Sequence, residues 1–267
     1  MSHAPRTRIV LGVWTALIMA FLLVPIGLIV LYAFNPSNVQ SWPIKGFSTK
    51  WFSEALDNQA MKDSFWLSIK AACLSTAIAI TLGSMVAFAV HRFRFFGRET
   101  ISFLVILPIA LPGIVTGLAL NATFTNYLGG LGFLSLIVAH ATFCVVVVYN
   151  NVIARLRRQG GSGEEASHDL FADSFQTFRL VTFAGLRSAI AAGALLAFAL
   201  SFDEIIVTTF TAGAGIQTLP QWIFNNYARP NQLPVVNVVA VVVVLLSAIP
   251  VWLAQRLSTD GGGTTSR

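Results

Sequence analysis

Arg155-Leu156-Arg157-Arg158-Gln159-Gly160-Gly161-Ser162-Gly163-Glu164-Glu165-Ala166-Ser167-His168-Asp169-Leu170-Phe171-Ala172-Asp173 opens a polar segment that runs on to Arg187 and sits between two long apolar stretches. Glu164, Glu165, Asp169 and Asp173 are four of the eleven acidic residues of the chain. Ser162 precedes Glu165 by three positions, the spacing of a capping box, so a helix is expected to start there. Asp173 precedes Gln176 by three, which repeats the signal and predicts a second short helix running to about Val181. Residues 155–187 therefore read as a helix-turn-helix elbow on a membrane surface. Its apolar positions, Ala166, Leu170, Phe171, Phe175 and Phe178, recur mostly at three- and four-residue spacing. That pattern puts an apolar stripe on an exposed segment, and a docking partner outside the chain is expected to cover it.

Outside the elbow the composition is that of a polytopic membrane protein. Hydrophobic residues make up 55% of the 267 residues and charged residues 10%, a balance outside the range of soluble domains. A span needs about 20 apolar residues, and the sequence offers six: about Ile9 to Phe34, Phe65 to Val90, Ile101 to Asn121, Leu131 to Ile153, Ser188 to Phe210 and Val235 to Leu253. The fold class expected is all-α, with about six transmembrane helices and one helical elbow. Residues 1–257 are one membrane domain in this reading, and 258–267, with Gly261-Gly262-Gly263, a disordered tail. The first apolar run is too long for a cleaved signal and is followed by no A-x-A site.

Basic residues set the expected orientation. With the amino terminus in the cytoplasm, Arg6, Arg8, Arg92, Arg94, Arg98, Arg155, Arg157, Arg158, Arg179, Arg187, Arg256 and Arg267 fall inside and only Lys45, Lys50, Lys62 and Arg229 outside. Lys70 lies near the outer end of the second span, where its stem can snorkel. The net charge of +6 then reflects topology and lipid contact. Nucleic acid is not an expected partner, because the basic residues form no single soluble face.

Two spans carry chemical irregularities. Leu107-Pro108-Ile109-Ala110-Leu111-Pro112-Gly113 has two prolines four apart, each removing an amide donor and clashing with the carbonyl one turn back. The third helix must bend or break, and carbonyls freed at membrane depth need protein or a water-filled cavity. The kink serves either a pathway lining or packing alone. The fifth span contains Ser201-Phe202-Asp203-Glu204 amid Ala, Leu, Ile, Val and Phe. An unpaired acid near the bilayer centre costs about 2.5–3.5 kcal/mol on insertion scales. On a continuous helix Ser201, Glu204, Thr208 and Thr211 share a stripe, while Asp203 lies with Leu200, Val207 and Phe210, which makes Glu204 the stronger pathway candidate and Asp203 a candidate for pairing across helices. The competing reading is a structural salt bridge or a protonated carboxyl within the bundle. Cys73 and Cys144 both fall in spans, so no secretory disulfide framework is expected. His140 and Cys144 are one turn apart on the fourth span, but two ligands make no metal site, and a hydrogen-bonding role for His140 is expected instead.

Two outer segments complete the chain. Residues 41–52 hold Trp42 and Trp51, suited to the headgroup belt. Residues 211–223 are Gly-rich and then aromatic. Those glycines are no phosphate cradle, since no helix start with Lys-Ser/Thr follows, and no G-x-x-x-x-G-K-[ST] occurs anywhere. No nucleophile-base-acid set appears either, so the chain is not expected to be an enzyme.

Glu164-Glu165-Ala166-Ser167-His168-Asp169-Leu170-Phe171-Ala172-Asp173, followed by Phe178-Arg179-Leu180-Val181-Thr182-Phe183, resembles the EAA signature of ATP-binding-cassette importer permeases, E-A-A-x-D-L-G-A and then a helix ending near V-T-L-P. Glu165, Ala166, Asp169, Leu170 and Ala172 match. Phe171 stands at the usual hinge glycine, and Ala184 and Ser188 stand where prolines are frequent. The resemblance covers about Phe65 to Leu257 and is strongest from Arg155 to Pro220. It implies the MetI-like permease fold, an elbow that acts as the coupling helix in a groove of a cytoplasmic ATPase, and a third helix bordering the translocation route. Within the family the string from Leu107 to Gly117 is similar to the spermidine/putrescine branch. The implied partners are a second permease, two cytoplasmic ATP-binding subunits and an extracytoplasmic solute-binding protein, which meets the segment after Thr211. The implied location is the bacterial inner membrane. No cofactor is expected on this chain, ATP being used by the ATPase subunits. Related permeases for iron, thiamine or sulfate are the nearest alternative. A secondary transporter or channel would account for the acids and the kink but not for the elbow, and no internal repeat supports it.

Overall fold

The computed structural model describes residues 5–259, with side chains left undescribed at Pro5, Arg6, Arg8 and from 248 onward. The expected tail falls mostly outside the described residues; its first two, Ser258 and Thr259, end a helix. All regular structure among the described residues is helical. The elements are α1 (Pro5–Ala33), α2 (Lys50–Asp57), α3 (Gln59–Arg92), α4 (Arg98–Ala110), α5 (Gly113–Tyr127), α6 (Phe133–Gln159), α7 (Ser162–Asp169), α8 (Ser174–Thr177), a π turn (Phe178–Thr182), α9 (Phe183–Phe202), α10 (Ile206–Thr211), α11 (Leu219–Tyr227) and α12 (Leu233–Thr259).

Four helical runs are long and apolar enough to cross a membrane: Ile9–Ala33, Gln59–Arg92, Phe133–Gln159 and Ser174–Phe202. The α4–α5 pair passes the same test only as a broken span, bent by 106°. The last apolar stretch, Leu233–Ser247, lies within α12. Each of the six expected spans thus falls on helix; the third is broken, as its prolines predicted, and the fifth is interrupted where a continuous helix was expected.

The third span breaks at Leu111 and Pro112. Leu111 N still reaches Leu107 O at 3.2 Å, but Pro112 has no N–H to offer Pro108 O, and a residue before proline is driven out of the helical region. Leu111 accordingly sits at φ −85°, ψ 146° and Pro112 at ψ 132°. Pro108, by contrast, lies inside α4.

The chain forms two compact units. One comprises residues up to Lys62 with Ile223–Leu246. In it α1 is apolar on every side, with Ile9, Trp14, Phe21 and Leu23 all more than half exposed, so lipid or a partner chain must cover it. The segment after α1 folds onto its end: Trp51 Nε1 donates to Asn35 O at 2.7 Å, Ser48 N to Phe34 O at 2.7 Å, and the Phe34 and Phe52 rings lie 5.1 Å apart. Trp51 is therefore buried, whereas Trp42 keeps the exposure expected of a headgroup-belt residue.

The second unit, Asp63–Trp222, is built on α6. Its core gathers Ala139, Phe143, Cys144, Val148, Tyr149, Val152 and Leu156 of α6 with Ala79, Ala87 and Val90 of α3 and Leu186 and Ala197 of α9. Close approach depends on small residues, as in membrane bundles generally. A Cβ on Gly83 would lie 2.9 Å from Val145 O, and one on Gly193 3.2 Å from Val148 Cα. Ser75 Oγ donates to Ile137 O at 3.0 Å and Cys144 Sγ to Ala197 O at 3.3 Å. These bonds satisfy polar atoms that hydrocarbon cannot.

Candidate functional site

Two places hold the residues singled out by sequence: the elbow at one end of the second unit and a pair of helix breaks inside it. The elbow is a rigid two-helix piece. α7 ends in a Schellman motif, in which Ala172 N bonds Ser167 O at 3.0 Å and Phe171 N bonds His168 O at 2.9 Å. The motif needs a left-handed residue at its pivot, and that residue is Phe171 at φ 59°, the one non-glycine with positive φ among the described residues. Phe171 thus takes the backbone shape that glycine supplies cheaply, with its side chain 97% exposed.

α8 starts with a capping box, Asp173 Oδ1 accepting from Gln176 N at 2.8 Å and Gln176 Oε1 from Asp173 N at 3.1 Å. Ser167 and Thr177 then join α7 to α8 through a buried 2.8 Å hydroxyl pair. The second elbow helix does not stop near Val181, as its capping pattern predicted. With no proline from Ser174 to Phe202, it passes through the π turn into α9 as one apolar run.

The two glutamates of the elbow have different surroundings. Glu164 Oε1 accepts from Thr182 Oγ1 at 2.6 Å, and Glu164 Oε2 lies 3.3 Å from Arg92 Nη1 at the end of α3. Glu165, like Ala166 and Asp169, is exposed. Leu170 at 81% exposure, Phe171, and Phe175 at 69% form the uncovered apolar face, with Ala172 half-buried beside them. Phe178 departs from the expected stripe: it turns back to the bundle, its ring 5.7 Å from Phe88 and 6.2 Å from Phe183.

In the fifth span the structure corrects the placement of the acids. α9 ends at Phe202, and α10 restarts at Ile206. The stripe drawn through Ser201, Glu204, Thr208 and Thr211 assumed an unbroken helix and does not exist as such. Glu204 serves the restart: its Oε1 accepts from Val207 N at 2.8 Å, the bond of a helix cap. Asp203 is exposed and has no ion pair among the described residues, so the cross-helix pairing expected for it is absent there.

His140 of α6 spans this break. Its Nδ1 lies 2.8 Å from Ser201 Oγ and its Nε2 2.8 Å from Thr208 Oγ1. Thr208 Oγ1 already donates to Glu204 O at 2.7 Å, so it can only accept from the imidazole. Nε2 therefore carries the proton, and Nδ1 accepts from the Ser201 hydroxyl. The fully buried His140 is a hydrogen-bonding residue, as its place in a span implied. No group of three metal-ligating side chains occurs among the described residues.

The two breaks are neighbours. α5 and α10 run side by side from their starts: a Cβ on Gly113 would sit 3.5 Å from Ile206 Cγ2, one on Gly117 2.7 Å from Phe210 Cδ2, and Asn121 Nδ2 donates to Phe210 O at 2.6 Å. Pro112 and the Asp203–Glu204 pair thus open two adjacent helices at matching heights. Pro108 lies one turn before the first opening. Proline signals the first break, whereas the second was not expected from the acids, and nothing local signals that the two meet. His140 clasping Ser201 and Thr208 was likewise not legible, since 61 and 68 residues separate the partners.

Comparison with known proteins agrees with these features. The model of the family described as "Binding-protein-dependent transport system inner membrane component" matches residues 79–260. The putrescine transport system permease protein PotI of Escherichia coli is 35% identical over 256 residues, covering 91% of this chain and 89% of that protein. The spermidine/putrescine transport system permease protein PotC of the same species is 32% identical over 254 residues, covering 95% of each. The sulfate transport system permease protein CysT of Salmonella typhimurium is 27% identical and covers 78% of this chain and 76% of that one. Among solved structures, a bacterial ABC transporter involved in the import of the acidic polysaccharide alginate has a similar fold, with a TM-score of 0.66 at 17% identity, covering 97% of this chain and 99% of that one. The chain belongs to the family of inner-membrane components of binding-protein-dependent transport systems, and is a transport permease of the ABC importer type.

Proposed function

We propose that this chain is one permease half of an ATP-driven importer for polyamines, with its amino terminus and elbow in the cytoplasm. The observation that supports a cationic cargo is Asp203. An acid just past the end of the Ser174–Phe202 apolar run, exposed in the single chain and with no ion pair among the described residues, belongs against a water-filled route or a second subunit, because hydrocarbon does not tolerate it. Its charge attracts ammonium groups and repels sulfate. The putrescine and spermidine/putrescine permeases supply the specific class. In this reading α5, α10, Pro108, Pro112, Ser201, Asp203 and Glu204 border the route.

At the other end Glu164, Glu165, Ala166, Asp169, Leu170, Phe171 and Ala172 form the piece that meets a cytoplasmic ATPase, which alone binds ATP. A second permease, a second ATPase and an extracytoplasmic binding protein complete the assembly.

The test is uptake by proteoliposomes holding the complex purified from its native membrane. ATP-dependent uptake of labelled putrescine or spermidine, with no uptake of sulfate or thiamine, is expected. Sulfate uptake without polyamine uptake would overturn the cargo. In the same system Leu170→Asp places a charge on the uncovered elbow face and should strip the ATPase from the membrane fraction. Normal ATPase association with that variant would refute the docking role.

A further inference from the structure

Of the two adjacent glutamates, Glu164 is the one with side-chain partners among the described residues. Both of its carboxylate oxygens are used: one by Thr182 Oγ1 at 2.6 Å, the other by Arg92 Nη1 at 3.3 Å. Each partner belongs to a different pass. Arg92 is the last residue of α3, and Thr182 closes the π turn that feeds α9. Thr182 is 5% exposed, whereas in the ion pair Arg92 is 55% and Glu164 29% exposed. The same carboxylate therefore joins the elbow to two membrane passes.

Local geometry favours this contact. Glu164 lies in the first turn of α7, where a carboxylate is stabilised by the helix dipole. Its main-chain oxygen accepts from Ser167 Oγ at 2.8 Å, and Ser167 in turn holds Thr177. A Cβ on Gly163 would come within 3.3 Å of Val181 Cγ1, so α7 rests directly on the π turn. π turns inside α-helices rotate the following residues relative to an unbroken ladder and recur at functional sites. Here the turn coincides with the hydroxyl that meets Glu164. On the far side Arg155 Nε donates to Gly185 O at 3.0 Å and ties α6 to the start of α9.

We propose that Arg92, Glu164 and Thr182 are positioning residues for coupling, which make α3 move together with α9 when the elbow is displaced. This rests on the elbow being the ATPase-docking piece. A partly exposed ion pair contributes only about 0–1 kcal/mol to stability, so the trio's role is linkage rather than folding. Without it a displaced elbow still pulls α9 through the continuous backbone, but the polar tie to α3 is lost and ring packing such as Phe178 on Phe88 is left to carry the motion.

The test uses the complete importer in proteoliposomes and reads solute imported per ATP hydrolysed, with ATPase association measured alongside by co-purification. Arg92→Ala and Thr182→Val are expected to retain the ATPase while import per ATP falls at least threefold. The charge exchange Arg92→Glu with Glu164→Arg is expected to restore more than half of the loss. High salt should lower the wild-type ratio toward that of Arg92→Ala and leave the variant unmoved, since an exposed pair is screened. An unchanged ratio in Arg92→Ala, or no recovery on charge exchange, overturns the proposal. Failure of elbow docking itself appears differently: Leu170→Asp would then keep the ATPase bound.

Discussion

Replacing Phe171 by glycine separates two effects that the wild-type residue combines. Phe171 holds φ 59° at the Schellman pivot, a conformation that costs an L-residue about 1–2 kcal/mol and glycine nothing sterically. Glycine returns about 0.5–1 kcal/mol of that through its greater freedom in the unfolded chain. The substitution should therefore leave the elbow as stable as before or up to about 1.5 kcal/mol more so. The ring contributes nothing to this balance, because at 97% exposure it packs on nothing in the chain. In the assembled importer the sign reverses. Burying a phenylalanine side chain contributes about 1.5–3 kcal/mol, so an ATPase that takes the ring into its groove should bind Phe171→Gly about tenfold to a hundredfold more weakly.

Two measurements on one variant decide between these effects. Hydrogen exchange at the amides of Phe171 and Ala172, which bond His168 and Ser167, reports the pivot, and titration of the ATPase onto the reconstituted permease reports the ring. The expectation is protection equal to or greater than wild type together with weakened ATPase binding. Phe171→Ala keeps the backbone strain and removes the ring, so it should match the glycine variant in binding and fall below it in protection. Wild-type ATPase affinity in both variants would refute the anchor role, and the aromatic would then be no more than a tolerated substitute for the usual hinge glycine.

Two further outcomes follow from the paired breaks. Asp203→Asn should reduce polyamine uptake more than Glu204→Gln, because Glu204 caps Val207 N at 2.8 Å and glutamine can keep that bond, whereas Asp203 presents its charge outward. An ammonium 4 Å from a carboxylate gains about 4 kcal/mol at an effective dielectric of 20, so at least a tenfold loss is expected, and equal losses for the two variants would contradict the assignment. His140→Ala removes both bonds across the α9–α10 break and should lower the stability of the detergent-solubilised permease by about 1–3 kcal/mol. A thermal midpoint equal to wild type would mean that Ser201 and Thr208 need no clasp.

Local chemistry accounts for what could be read from the chain and for what could not. Capping pairs, prolines and apolar length act within one turn or one span, so Asp173 with Gln176, the failure of the helix at Pro112, and the apolar stretches that fall on helix were all open to reading. The fifth span misled because its acids were placed on an ideal helix. A carboxylate that follows a helix end can cap the next one, and Glu204 does so, which turns the buried charge into the reason for the break. Once the helix breaks, the stripe argument that favoured Glu204 fails, and Asp203 inherits the outward position. Pro112 and Glu204 thus reach the same result by opposite means: one withholds an amide and the other supplies a carboxylate to cap the amide of a new helix. Two adjacent helices therefore open side by side, with one exposed acid, Asp203, at the second opening. An exposed acid between two helix ends adds nothing to packing, so under the proposed transport role the two interruptions serve the route and not the stability of the bundle.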